Sequence, residues 1–519
     1  MANLSDLLPQ GGGQNNTDFV ADGNITSGKP VIFTAAGKAA QVATSTASGS
    51  LPLGTQLTIE SSASSIGRIK VTADPHNTNR WMVSYYNDSG TSGLRFKFVI
   101  RAGTSLSVGN EINSGSVSGI NNAYAHSIAF DPSTADKFLM VFMPGSSAPT
   151  GYGTAAVVGT ISGSAGSESI SWGTPNRFET VNFDVANGIP DRVFALGTSG
   201  NYLTAWTNDP SGVKMRVLTV SGTTVTAPGS TTIPYSTAAR GAEFGFKVNP
   251  YDATKALVFQ NNADKHLYIT DVAISGSTIT ATSSGNVVDN SNTYERQGCI
   301  DLCYLTSTKF VMIANRESAT GGQGRTQIGN LSSGSFSYGS QIVYSGTSYP
   351  DDYVRQAQVV NSTVTPDKWI LVWNDTTDKQ TNGRIGSYSG DAITLGTNTE
   401  MDSQAYQYFD VAKADDADGH FLVMGDNNSN TAWVKLGKTG GTSSNLTSTN
   451  LLGIAAGAIS DTATGTINTW GSRNEAQSSL TVASDYYVQT DGTITTDTSG
   501  QLIGKAITAT QINMKDYTG

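Results

Sequence analysis

The chain has 519 residues, a formal net charge of −10 and only 14% charged residues, against roughly 25% in ordinary globular domains. An acidic balance with no basic stripe argues against a nucleic-acid partner. No apolar run is long enough to cross a membrane as a helix. The opening "MANLSDLLPQ" lacks the basic start and apolar core of a secretory leader, so the expectation is synthesis in the cytoplasm without a signal peptide.

With 57 glycines and a polar complement of Ser, Thr and Asn, the composition suits strands and tight turns. No segment shows a 3.6-residue period. Residues 1–50 begin with a polar stretch, "QGGGQNNTD". They continue with two short strand-like runs in "GNITSGKPVIFTAAGKAAQVAT". From residue 51 a repeat sets in. An apolar strand recurs at Trp81, Phe138, Tyr202, Ala256, Phe310, Trp369 and Phe421, with spacings of 57, 64, 54, 54, 59 and 52 residues.

The strand after each anchor ends on a glycine: Gly103, Gly163, Gly222, Gly276, Gly334, Gly390 and Gly440. A further strand precedes each anchor, followed in places by an Asp-Pro or Asn-Pro turn step, as in "FDPSTADK". Four short strands per unit of this length point to a β-propeller, whose radial closure removes exposed sheet edges. The expected fold is all-β: a seven-bladed propeller with four antiparallel strands per blade over 51–445. A small β domain formed by the two termini accompanies it.

The fourth strand of each unit carries Gly followed by a small polar residue, at Gly109, Gly173, Gly229, Gly285, Gly339 and Gly396. The seventh unit lacks this copy, and "LPLGTQLTIE" before the first unit supplies it. Residues 51–60 are therefore expected to form the outer strand of blade seven. Residues 446–519 read as a C-terminal β module, with an Asp491-Gly492 turn in "YYVQTDGTI". Closure of the ring would bring segment 1–50 to pack with this module.

Three stretches carry a resemblance: "SGKPVIFTAAGKAAQVA", "TAAVVGTISG" with "ESISWGTPNRFE", and "SSLTVASDYYVQTDGTITTDTSGQLIGKAITATQINMK". Together they resemble virion proteins of tailed, marine-type bacteriophages, over nearly the whole chain. The match departs from the usual pattern at Ser479 and Ala483, where glycine is customary. The resemblance implies a structural or adhesive component of the virion, in the tail, a fibre or an appendage, made in the host cytoplasm. It implies other virion proteins as partners, contact with host surface polysaccharide, and a plausible homo-oligomer. A capsid-decorating protein is the first alternative and a glycan-degrading propeller enzyme the second.

The residues name little chemistry, and no catalytic, cofactor or metal residue is assigned. His76, His126, His266 and His420 have no metal-ligand spacing. No G-x-S-x-G elbow singles out a serine. Cys299 and Cys303 lie too far apart on one strand for a disulfide and are read as buried thiols. Asp415, Asp416 and Asp418 lack the spacing of a calcium loop and are read as a turn. Arg192, Arg296, Arg316 and Arg355 are not placed together, as a carboxylate-binding cluster would require. The chain is therefore expected not to be an enzyme.

The loops joining second and third strands emerge on one face of a propeller and are rich in Asn, Asp, Ser and Gly. They define a candidate glycan- or protein-binding face: Asn87, Asp88, Tyr152, Asn208, Asp209, Asn261, Arg316, Asn374, Asp375 and Asp426.

Overall fold

The computed structural model describes residues 15–514. Interior stretches are excepted, chiefly 46–50, 62–65, 88–92, 115–125, 145–152, 180–192, 208–212, 234–243, 262–266, 295–299, 318–322, 346–353, 362–366, 403–408 and 427–430, with isolated positions between. The described residues are all-β and contain no helix. They divide into two compact units, one of residues 49–439 and one of residues 1–48 with 440–519.

In the larger unit the described residues form seven antiparallel sheets in chain order: sheet 1 within 66–113, sheet 2 within 126–179, sheet 3 within 193–233, sheet 4 within 244–289, sheet 5 within 293–343, sheet 6 within 354–402 and sheet 7 within 409–438 together with 57–60. Sheet 6, the region of "WILVWNDTTDKQTNGRIGSYSGDAITLGT", shows the plan. Its first strand, Val354–Asn361, pairs with Lys368–Asp375, which pairs with the long third strand Gln380–Ser389. The outer edge is split into Ala392–Leu395 and Thr399–Asp402, both paired to that third strand. Second strands are the core: Lys137–Phe142 and His420–Asp426 are buried almost throughout, on both faces.

Glycine carries the local geometry at two kinds of position. The third strand turns into the outer strand through a two-residue loop, such as Gly222-Thr223 or Gly390-Asp391, whose glycine has φ near +60°. That conformation is cheap for glycine and costly for residues with a Cβ. Inside the third strands of sheets 2, 5, 6 and 7, a glycine lies directly under the anchor aromatic: Gly159 opposite Phe138, Gly329 opposite Phe310, Gly386 opposite Trp369 and Gly437 opposite Phe421. A Cβ there would stand 2.1–2.2 Å from the ring. The rings lie flat over bare backbone, the pairing by which aromatics compensate strand glycines.

The outer glycines solve a different problem. Gly173 of sheet 2 faces the Thr223 carbonyl in the turn of sheet 3, 2.4 Å from where its Cβ would be. Gly339 of sheet 5 meets the Asp391 carbonyl of sheet 6 at 2.5 Å in the same way. Gly109 of sheet 1 meets Gly166 of sheet 2. At these three positions the break in an outer strand receives the turn of the next sheet.

Sheet 7 takes its outer strand from the beginning of the unit. Leu57–Glu60 pairs antiparallel with Ala432–Lys438, and Leu53 forms a bridge to Gly437. Gly54 N donates to the Leu436 carbonyl, as Gly339 N does to Ile328 and Gly173 N to Val158. The first strands of successive sheets pack side by side, and that of sheet 7 packs on that of sheet 1. One apolar cluster joins Leu422, Met424 and Val434 of sheet 7 to Trp81, Val83 and Tyr85 of sheet 1.

The smaller unit interleaves the two ends of the chain. In one sheet Asn16–Val20 pairs with Thr464–Asn468, and Pro30–Phe33 with Leu451–Ala455. A second sheet contains Asp485–Val488, Gln501–Thr508 and Gln511–Met514. Ile32, Val42 and Ile454 share a core with Tyr486, Val488, Ile503 and Ile512. Ser479 and Ala483 have φ of +57° and +69°, so the two positions where glycine is customary are left-handed here.

Two stability predictions follow from these positions. Gly339→Ala should lower the unfolding free energy by about 1–3 kcal/mol through overpacking, whereas Gly54→Ala, with 3.5 Å to its nearest neighbour, should change it little. Ser479→Gly and Ala483→Gly should each raise the stability of the smaller unit by about 0.5–1 kcal/mol, relief of left-handed strain exceeding the entropy cost of glycine. Denaturant melts of the variants test both.

Candidate functional site

The first strand of each sheet is an edge strand, and unpaired edge N–H groups need partners. Polar side chains of the neighbouring first strand supply several. Asp301 of sheet 5 accepts from Val359 N of sheet 6 at 3.1 Å. Gln358 of sheet 6 accepts from Val411 N of sheet 7 at 2.9 Å and donates to Asp410 at 2.7 Å. Gln356 closes a two-way bridge to the Phe409 backbone. Asp410 of sheet 7 accepts from Val71 N of sheet 1 at 2.7 Å, and Lys70 of sheet 1 lies 3.6 Å from its other oxygen. The lacing therefore crosses the junction of the last sheet with the first.

These seven first strands surround a cavity of about 540 Å³. It is bordered by the turns between first and second strands, which contribute Pro75, Pro132, Thr198, Pro250 and Asp415. Thr72 and Thr198 are the polar residues that sheets 1 to 3 place on this lining, Thr72 donating to the Ile128 carbonyl at 3.4 Å, and the charged and amide side chains come from sheets 4 to 7. Lys247 pairs with Asp301 at 3.3 Å. Asn249 donates to the Ser307 carbonyl and Tyr251 to the Leu305 carbonyl. Asn361 donates to the Tyr304 carbonyl.

Lys413 donates to the Asn361 carbonyl and to Asp415, the latter at 2.6 Å. Burial holds the Lys413 amine below the usual lysine range, against the opposing pull of Asp415. Burial pushes the Cys303 thiol up, with Asp301 adding to the shift, so the thiolate nucleophile is suppressed.

The expected binding face lies at the other end of the sheets. Asn87, Asn374 and Asp426 close second strands that begin at the cavity-side turns, and all three are buried. Asn374 accepts a hydrogen bond from the Thr381 hydroxyl at 2.8 Å, an internal tie. Asn261, Arg316 and Asp375 also end second strands, and their side chains lie outside the described residues. Asp88, Tyr152, Asn208 and Asp209 lie outside them altogether, as do Cys299, His266, Arg192 and Arg296. The structure therefore brings none of the ten together into a described surface.

The remaining candidates are drawn into structure. His76 Nε2 donates to the Asp131 carbonyl at 2.8 Å, tying sheet 1 to sheet 2. Asp416 accepts from the His420 backbone and ring and pairs with Arg101 at 2.9 Å, while Asp418 is exposed. Ser84 and His126 meet at 2.7 Å, a serine–histidine contact that sequence spacing could not reveal. Ser84 is fully buried, and the contact joins sheets 1 and 2.

No family model and no curated protein matches the chain. Among solved structures it is similar to a putative 6-phosphogluconolactonase from Bacteroides uniformis, with 10% identity and a TM-score of 0.42 over 70% of this chain and 93% of that one. It is similar to the NanB sialidase from Streptococcus pneumoniae, with 10% identity and a TM-score of 0.39 over 74% of this chain and 70% of that one. It also resembles the β-propeller domain of the Trilobed protease from Pyrococcus furiosus, with 9% identity and a TM-score of 0.37 over 72% of this chain and 94% of that one.

Two of these are enzymes by name, and this corrects the expectation that the chain is not an enzyme. A missing sequence motif does not exclude catalysis, because catalytic groups on such a scaffold converge from distant strands. At these identities the likeness concerns the fold and assigns no reaction to this chain.

Asp410 is the residue on which the inner lacing converges. Asp410→Ala should cost about 2–4 kcal/mol, because it removes the carboxylate that accepts from both Val71 N and the Gln358 amide in a buried setting. Asp485→Ala, which removes the exposed partner of Lys505, should cost no more than about 1 kcal/mol. Chemical unfolding of the two variants checks the contrast.

Proposed function

We propose that residues 49–439 form a seven-bladed β-propeller closed by the strand Leu57–Glu60, and that the chain is a structural component of a tailed-bacteriophage particle, in its tail, a fibre or an appendage. The observation that carries this reading is the closure itself. The last sheet takes its outer strand from the start of the unit and shares its inner lacing with the first sheet. A closed ring whose inner polar groups are tied to neighbouring sheets suits a stiff part of an assembly. The resemblance to virion proteins over nearly the whole chain supports the placement on a particle. A low-charge surface rich in Ser, Thr, Asn and Gly is compatible with contact to hydroxyl-rich host polysaccharide.

Glycan degradation at the central cavity is the second reading, and the contact between Lys413 and Asp415 favours it. A buried amine with a lowered pKa beside a carboxylate is a proton-transfer pair. Release of reducing ends from host polysaccharide by the purified protein, lost in Asp415→Asn, would establish it.

Cryo-electron microscopy of whole particles, with mass spectrometry of their proteins, tests the leading reading. Disc-shaped density at the tail or its fibres is the expected result. Density on the shell would replace it with capsid decoration. Absence of the chain from purified particles would overturn the virion reading.

A further inference from the structure

One third-strand position can be compared across the seven sheets: the residue two places before the partner of the anchor. It is Val157, Thr270 and Gln327 in sheets 2, 4 and 5. In sheets 1, 3, 6 and 7 it is a cation: Lys97, Arg216, Arg384 and Lys435. Three of these cations donate to an outer-strand carbonyl of the neighbouring sheet. Lys97 reaches Ile59 and Arg216 reaches Phe178, both at 2.6 Å, and Lys435 reaches Met401.

In each of those three cases the residue after the carbonyl is acidic: Glu60, Glu179 and Asp402, each placed by the same register shift in its outer strand. Glu60 lies 3.9 Å from the Lys97 amine. Burial lowers the pKa of Arg216, and Glu179 opposes that shift.

Arg384 departs from this rule, although its aromatic surroundings repeat those of Arg216. Trp373 and Tyr344 stand where Trp206 and Phe178 do, with ring centres 5.2 and 5.5 Å apart respectively. The Arg384 guanidinium lies 5.9 Å from the Trp373 ring centre, and that of Arg216 lies 5.5 Å from Trp206. The residue after Tyr344, however, is Ser345, whose hydroxyl oxygen accepts from Gly324 N at 2.8 Å. Among the described residues no carbonyl or carboxylate bonds the Arg384 side chain, and its Nε is buried. Burial lowers its pKa with no acidic group opposing the shift.

Packing does not call for a cation here, because valine, threonine and glutamine occupy the same place in other sheets. A half-buried guanidinium without a counter-charge is a cost to the fold. Backed by an indole face, it presents a planar fork that matches a carboxylate. A phosphomonoester, carrying about −1.5 to −2, would exceed what one guanidinium answers.

We propose that Arg384 binds a carboxylate brought by another molecule, in the role that Glu60, Glu179 and Asp402 fill for the other three cations. The site lies between sheets 5 and 6, apart from the cavity of the first strands. It requires no bond cleavage and no position on a particle, so it holds or fails separately from the virion and degradation readings.

The experiment is a saturation-transfer NMR titration of the full chain with acetate. N-acetylglutamate N-methylamide serves as the mimic of an acidic side chain, and N-acetylglutamine N-methylamide as its neutral control. Acetate should bind with a Kd of about 10 mM or tighter. Arg384→Met should weaken binding at least about tenfold by removing the guanidinium, and Ser345→Glu by the same factor through restoring an internal carboxylate. Arg473→Met in the smaller unit, where Arg473 pairs with Glu475, should leave it unchanged. Melting curves identify variants that fail to fold, and the acidic-to-neutral comparison on the unaltered chain needs no variant. Tighter binding of the capped glutamate than of acetate would assign the carboxylate to an acidic partner protein, and the reverse to a small free acid. No acetate binding at about 100 mM, equal binding of the capped glutamine, tighter binding of inorganic phosphate, or full affinity in a folded Arg384→Met or Ser345→Glu would each overturn the proposal.

Discussion

Everything in the larger unit depends on what happens to the free edge of each first strand. A strand that pairs on one side only leaves backbone N–H groups which must be hydrogen-bonded or solvated. Along the cavity, neighbouring strands run side by side without forming one continuous ladder. Side chains therefore do the bonding: the carboxylates of Asp301 and Asp410 and the amides of Gln356 and Gln358 reach the next strand. Each such bond contributes about 0.5–1.5 kcal/mol, more where a charge takes part. Their larger effect is on geometry, because a side chain of fixed length holds adjacent strands at a fixed separation and so holds the cavity open.

The rim answers the same packing problem without polar groups. There the turn of one sheet enters the break in the outer strand of the previous one, at Gly109, Gly173 and Gly339. At Gly173 and Gly339 glycine is needed because the neighbour is a backbone carbonyl, which cannot rotate away as a side chain would. Between rim and cavity, the anchor aromatics of sheets 2, 5, 6 and 7 cover strand glycines, and the apolar clusters between adjacent sheets fill the remainder. Inner lacing, apolar middle and glycine rim are three solutions to one task, the side-by-side packing of sheets.

These three layers differ in how visible they are in the sequence. Turn glycines and the anchors from Trp81 to Phe421 recur because each does its work within one sheet, a few tens of residues long. The supply of an outer strand from residues 51–60 could be inferred because one copy of a local signature was missing at one end and surplus at the other. The inner lacing leaves no such trace. Its members are Asp301, Gln356, Gln358, Asp410 and Lys70, five positions of three residue types, since a backbone N–H donates to any oxygen of suitable reach. Ser84 and His126 meet across sheets for the same non-local reason. The choice of Asn87, Asn374 and Asp426 as surface groups rested on composition alone, and these side chains turn into the sheets at strand ends instead.

Function on a repeated scaffold is best sought where the copies stop being equivalent. The second strands vary little, being buried on both faces. The first strands vary most: Thr72 and Thr198 are the polar residues that sheets 1 to 3 bring to the cavity, while Lys247, Asn249, Asn361, Lys413 and Asp415 come from sheets 4 to 7. Several of these side chains lace neighbouring sheets as donors, Asn249 to the Ser307 carbonyl, Asn361 to that of Tyr304 and Lys413 to that of Asn361. The burial of Lys413, against the cost of holding an amine away from water, is the sharpest departure from what packing alone would favour. That cost is offset by the Asn361 carbonyl of the neighbouring sheet and by Asp415 in the adjoining turn, which hold the amine between them.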